Sequence, residues 1–298
     1  MILLLSSLPN KRENVDDVMS FDDYMRQFFI SHGQKDRIEE VLKSAKKDPF
    51  GMWYSPVVYK GAKILGKLGF TPNKISLMNL VLSFFIFYLT MIVGDSHMLA
   101  PYSAQPTLGW IMFPLGFLVL FTGWLDGMDG AVATLFNQKS KKGGWFDAII
   151  DRICDVIVLV CLIPPGFVYV PDVGLDFSWL IWTNVILIFI YEYMRAKHYE
   201  VGLTRSQAFM GERVTRVLVQ WQFYMVYGGN AIIGAIINLV NPISSPADNP
   251  FPLYRLEIYW LMSLFLLVLL VIMSISIILS AKWIWTELKK MDEGKEKE

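Results

Sequence analysis

The chain has 298 residues, 54% of them hydrophobic, with 10 tryptophans and a mean hydropathy of +0.42. That balance excludes an ordinary soluble domain of this length and points to an integral membrane protein. Its 27 basic and 27 acidic side chains cancel to a formal net charge of zero, and no nucleic-acid partner is expected.

Residues 1–48 are the one extended polar portion and read as a short cytoplasmic extension. The opening Met1 to Leu5 is too short for a secretory core, so no cleaved signal is expected. Between Lys35 and Lys47, Ile38, Val41, Leu42 and Ala45 share one helical face among charges, which predicts a short helix. It is too small to bury a core of its own and must dock on the membrane body, a partner or the bilayer surface. Within 49–70, Val57, Gly61, Ile64, Leu65 and Leu68 lie opposite Lys60, Lys63 and Lys67, with Trp53 and Tyr54 at the start. This predicts an amphipathic helix lying in the headgroup plane, broken by Thr71-Pro72-Asn73.

Apolar stretches long enough to cross a bilayer, roughly 20 residues each, recur at 75–94, 108–125, 148–170, 177–194, 217–240 and 256–285. The expected fold is therefore all-α and polytopic, with six transmembrane helices within 71–286 and a cytoplasmic tail at 287–298. The connections 95–107, 171–176 and 241–254 contain no Lys or Arg, whereas the alternate connections are basic. By the positive-inside rule both termini face the cytoplasm, with Arg255 the one discordant charge. Cys154 and Cys161 share the third apolar stretch and read as packing residues.

The most informative segment runs from 126 to 151, where Asp126, Asp129, Asp147 and Asp151 stand where two apolar stretches meet. An uncompensated ion near hydrocarbon costs several kcal/mol or more, so carboxylates so placed mark a site. Asp126 and Asp129 are spaced i,i+3 and Asp147 and Asp151 i,i+4, so each pair projects from one helix face. Two such faces opposed make an oxygen-only cage, suited to Mg²⁺ or Mn²⁺ rather than zinc because no His or Cys interleaves them. Gly127, Gly130 and Ala133 keep a helix face bare for a ligand, as Gly143 and Gly144 do at the next helix start. Lys139, Lys141 and Lys142 add a cationic rim.

The segment DGMDGAVATLFNQKSKKGGWFDAIID resembles the signature of the CDP-alcohol phosphotransferases, membrane enzymes that join a CDP-activated group to an alcohol and release CMP. Thr71-Pro72-Asn73, the six-span plan and the stretch YMRAKHYEVGLTRSQAFMGERVTR extend the resemblance over roughly residues 70 to 285. It implies that Asp126, Asp129 and Asp147 bind divalent metal, and that Asp151 helps bind it or removes the acceptor's hydroxyl proton. It places Gly130, Ala133, Thr134 and Gly143 along the CDP moiety, with Thr134 standing where the family usually has Arg. It also implies a CDP-linked lipid donor and a homodimer.

Arg152, Arg195, Arg205, Arg213 and Arg216 suit an acceptor that already bears a phosphate, because arginine recognises phosphate bidentately. Glu192 and Glu212 are the candidates to pair with some of them instead. The stretches 151–155 and 211–216 resemble family members using inositol phosphate, so that acceptor is expected. Glycerol phosphate, serine or another small alcohol is the alternative within the same chemistry. A divalent-cation transporter and a non-catalytic scaffold are the alternatives from other classes.

Overall fold

A computed structural model of the chain describes residues 19–31, 34–35, 38–47, 50–99, 108–163, 166–170, 173–203, 209–240 and 256–295. Arg205 and Arg255 lie outside the described residues. The described chain falls into two compact units. One holds the described residues within Met1–Val81 and Thr122–Ile153, the other those within Leu82–Phe121, Cys154–Leu203 and Gln207–Glu298.

The first unit begins with α1, Phe21–Ser31. Ser20 caps it, accepting from the Asp23 N–H at 3.2 Å and donating to the Asp23 carboxylate at 2.6 Å. Its buried Tyr24 and Met25 turn toward α3, Ser55–Lys67, where Phe21 and Tyr24 stack about Tyr59 at ring separations of 5.3 and 5.7 Å. Burial pushes the Tyr24 phenol up to about 12. Helix α2, Ile38–Ala45, has the expected face: Ile38, Val41, Leu42 and Ala45 are withdrawn from solvent, while Glu39, Glu40, Lys43 and Ser44 are exposed.

Helix α3 buries its small side chains and leaves part of the apolar face expected in the headgroup plane exposed. Ser55, Val58, Ala62 and Gly66 are its buried residues, whereas Ile64 and Leu68 are each 60% exposed. Size explains this, because small side chains let a helix approach its neighbour closely. Helix α5, Met112–Leu135, is that neighbour: a Cβ at Gly61 would collide with Met128, and one at Gly66 with Phe136. A short π-helical turn, Phe50–Tyr54, precedes α3 and sets the Tyr54 hydroxyl to donate to the Gly123 carbonyl at 3.0 Å. Helix α3 stops before Thr71-Pro72-Asn73: Gly69 adopts φ +83°, its N–H bonds Gly66 and the Phe70 N–H bonds the Leu65 carbonyl, both at 3.0 Å.

Helix α4, Pro72–Leu99, starts on its proline, which has no N–H to leave unpaired. Helix α5 ends on the same kind of cap, with Asn137 at φ +52° and the Gln138 N–H bonded to the Ala133 carbonyl at 2.8 Å. Three residues later Ser140 caps α6, Lys141–Val160, its Oγ accepting from the Gly143 N–H at 3.0 Å. So short a link folds the end of α5 back beside the start of α6.

The expected stretch 148–170 is corrected. Helix α6 begins earlier, at Lys141, and ends at Val160, with turns through Ile163 and Gly166 at φ +72° beyond it. A small antiparallel pair follows, β1 Tyr169–Val170 with β2 Leu175–Asp176, a minor exception to an all-α fold. Then come α7, Ser178–Glu200, α8, Arg213–Val240, and α9, Leu256–Lys295. Asn184 ties α7 to α9, its amide donating to the Leu180 and Leu266 carbonyls at 2.8 and 3.0 Å. Neither cysteine is in a disulfide; Cys161 lies 3.2 Å from the Tyr224 hydroxyl, which is 3.1 Å from that of Thr90.

Among the described residues three helices are long and apolar enough to cross a membrane: Pro72–Val93, Gly109–Leu135 and Trp260–Gly294. The expected spans 148–170, 177–194 and 217–240 overlap α6, α7 and α8 only in part or in position, and these helices are not among the three that meet that measure.

Adjacent glycines of α8 give a test of the packing. A Cβ at Gly228 would strike the Phe113 backbone, whereas one at Gly229 meets only a ring carbon at 4.0 Å. Gly228→Ala should cost about 1–3 kcal/mol or more by overpacking, read as a lowered melting temperature in detergent, and Gly229→Ala should melt like the parent.

Candidate metal centre

The α5–α6 link brings three carboxylates together. Asp126 on α5 and Asp147 and Asp151 on α6 each offer an oxygen within 4.8 Å of the others, partly or fully buried. Two like charges about 4 Å apart repel by roughly 4 kcal/mol at an effective dielectric near 20. The donor set is all oxygen and fits a hard divalent cation. Asp129, 3% exposed, stands beside this trio, and its carboxylate accepts from the Ser76 hydroxyl at 2.7 Å and the Gly130 N–H at 2.6 Å.

The glycines divide. Gly130 and Gly144 are exposed, and a Cβ on either would meet nothing within 4 Å, so those positions are bare as expected. Gly127 is not: Tyr54 and Val58 fill the space beside it, and it is a packing glycine. Gly143 is also hemmed in, a Cβ there lying 2.9 Å from Ser140 Oγ and 3.3 Å from Asn73 Oδ1. Ala133 and Thr134 are half-buried, and Thr134 spends its hydroxyl proton on the Gly130 carbonyl at 2.9 Å. Lys139, Lys141 and Lys142 are exposed, and Arg152 Nη2 lies 3.9 Å from Asp151.

In the second unit Arg195, Arg213 and Arg216 are drawn into a network with acidic partners. Arg216, 1% exposed, bonds Asp155 at 2.9 Å, Glu192 at 3.0 Å and the Gly211 carbonyl at 3.1 Å. Arg213 Nε lies 3.2 Å from the other Asp155 oxygen. Arg195 bonds Glu212 at 2.9 Å, and Glu212 also accepts from the Tyr191 hydroxyl at 3.1 Å. Three guanidinium groups thus face three carboxylates, Asp155, Glu192 and Glu212. Glu192 and Glu212 are the partners weighed from sequence. Asp155 was missed, although its four-residue step from Asp151 continues the spacing that starts at Asp147.

Residues 70–286 match the family model described as CDP-alcohol phosphatidyltransferase. Over 106 residues the chain is 29% identical to an archaetidylinositol phosphate synthase of Pyrococcus horikoshii, covering 36% of this chain and 47% of that protein. Over 105 residues it is 30% identical to a bifunctional IPC transferase and DIPP synthase of Aquifex aeolicus, covering 34% and 20%. The chain thus spans less than half the length of these curated relatives. Among solved structures, the phosphatidylinositol phosphate synthase of Mycobacterium tuberculosis, determined with CDP-DAG bound, is similar in fold with a TM-score of 0.50. That likeness, at 19% identity, covers 77% of this chain and 94% of the other.

The arginine network makes a stability prediction. Arg216→Ala removes the most buried cation from the set, leaving Asp155 with Arg213 and Glu192 with Arg195 as the remaining partners and one negative charge in excess, a loss of about 3–5 kcal/mol that should appear as a large fall in melting temperature. Arg26→Ala, which breaks only the exposed pair with Glu39, should leave it unchanged.

Proposed function

Because the chain belongs to the CDP-alcohol phosphatidyltransferase family, we propose that it moves a phosphatidyl-like group from a CDP-linked lipid to a phosphorylated polyol, inositol phosphate foremost, releasing CMP. The observation that carries this reading is the convergence of Asp126, Asp147 and Asp151 within 4.8 Å. These three, with Asp129, would hold Mg²⁺ or Mn²⁺. Such a cation, when bound, offsets the donor's pyrophosphate charge and the charge that develops on the departing CMP.

The chain's own residues do the rest. Asp151 takes the proton from the acceptor hydroxyl as its oxygen attacks the lipid-bearing phosphorus. The bond from that phosphorus to CMP breaks as the new ester forms, so CMP leaves with the electron pair. Gly130, where a side chain would have open space, lets the nucleotide lie along α5, with Ala133, Thr134 and Gly143 beside it. Thr134 supplies no charge where the family usually has a cation, and exposed Lys139, Lys141 and Lys142 are the groups to replace it.

For the acceptor's phosphate we assign Arg195 and Arg213, whose side chains retain 28% and 10% exposure, with Arg152 a candidate on its sequence position alone. Arg216, committed to Asp155, Glu192 and a carbonyl, holds that frame. The relatives named for inositol phosphate chemistry support this acceptor class. The chain is an integral membrane protein, and we place six helices across the bilayer with both ends and the carboxylates at the cytoplasmic face. The basic connecting segments support that orientation. A homodimer is proposed on the family resemblance alone.

Purified protein given CDP-linked lipid, Mg²⁺ or Mn²⁺ and a panel of alcohols should release CMP with a phosphorylated polyol. Turnover with unphosphorylated alcohols only would refute the acceptor assignment. Asp151→Asn should lower CMP release about 100-fold or more while leaving donor binding largely intact. Arg213→Ala should raise the acceptor KM about tenfold or more with little change in kcat; equal effects on donor and acceptor would argue against its role.

A further inference from the structure

Ser76 lies in the second turn of α4 and is only 1% exposed. Its Oγ is 2.7 Å from Asp129 Oδ2, 3.2 Å from Asp147 Oδ1 and 3.2 Å from the Pro72 carbonyl. One hydroxyl therefore touches a carboxylate of α5 and a carboxylate of α6 from a third helix. It has a single proton to give, and the shortest contact assigns that proton to Asp129. The other Asp129 oxygen accepts from the Gly130 N–H at 2.6 Å, so this carboxylate is fixed at both ends. Neighbouring Asn73 places its Oδ1 beside Gly143, so the first turns of α4 lie against the start of α6 at two points.

We propose that Ser76 is a positioning residue for the metal centre, its hydroxyl fixing the Asp129 carboxylate beside Asp147. This rests on the reading that the aspartates hold a divalent cation, and it deepens that reading. The chemistry favours a hydroxyl. A Lys or Arg at this point would pair with the carboxylates and cancel the negative charge that a cation needs. A neutral donor orients the oxygens and leaves their charge in place. Partners that orient the ligands of a metal act on its affinity through those ligands, and their removal typically weakens binding about 10- to 100-fold. Ser76 itself touches neither donor nor acceptor in this account.

The test uses the full-length protein in detergent and Mn²⁺ alone as the probe, with free Mn²⁺ followed by electron paramagnetic resonance. Ser76→Ala should raise the Mn²⁺ Kd about 10- to 100-fold at an unchanged melting temperature. Ser76→Thr, which keeps the hydroxyl, should restore the parent affinity. Asp126→Asn, measured alongside, tests the underlying reading. If Asp126→Asn binds Mn²⁺ like the parent, the metal centre is wrong and the role of Ser76 falls with it. If Asp126→Asn loses Mn²⁺ while Ser76→Ala binds it undiminished, the metal centre stands and the positioning role is overturned. Should Ser76→Ala fail to fold, Ser76→Cys serves, since a thiol fills similar space but is a weak donor. Lowered affinity in that variant supports the proposal, and parent-like affinity overturns it.

Discussion

Mutual repulsion among closely set carboxylates is the constraint to which the rest of the molecule answers. Asp126, Asp147 and Asp151 are held within 4.8 Å where α5 ends on a left-handed Asn137 and Ser140 restarts the chain as α6. Arg152 lies 3.9 Å from Asp151, and the oxygen-only trio has the donor chemistry that a hard cation takes.

The second unit handles charge in the opposite manner. Arg195, Arg213 and Arg216 arrive with their own counter-charges in Asp155, Glu192 and Glu212, so the set is balanced before any ligand binds. A buried ion pair of this kind contributes little net stability against an apolar alternative, yet losing one member is costly. Its value lies in fixing where each guanidinium points. Tyr191 and the Gly211 carbonyl complete that arrangement with neutral hydrogen bonds.

Much of this was legible in the residues because the relevant signals are local. The aspartate spacing puts each pair on one face of its helix whatever surrounds it, and the period of Ile38, Val41, Leu42 and Ala45 matches the buried face of α2. What escaped depends on partners distant in sequence. Hydropathy marked Ile64 and Leu68 as a face of α3 for the headgroup plane, and each is 60% exposed, but it did not mark the helix contact, which is governed by size and made by Val58 against Gly127 and by Gly66 against Phe136. Gly127 looked like room for a ligand and is room for Tyr54. The apolar run to residue 170 concealed a helix end at Val160, since hydropathy does not register backbone turns such as that at Gly166, φ +72°. Ser76 carried no motif of its own and is identified only by the carboxylates it touches.

The seating of Met128, Phe136 and the Tyr54 hydroxyl against glycines has a consequence for the chain's evolution. The family match begins at residue 70, yet α3, upstream of it, forms one wall of the helix that bears Asp126 and Asp129. The leading helices are therefore not an appendage that could be exchanged freely between relatives. Any replacement must reproduce the same knobs and hollows, or leave a greasy flank of the signature helix bare to solvent.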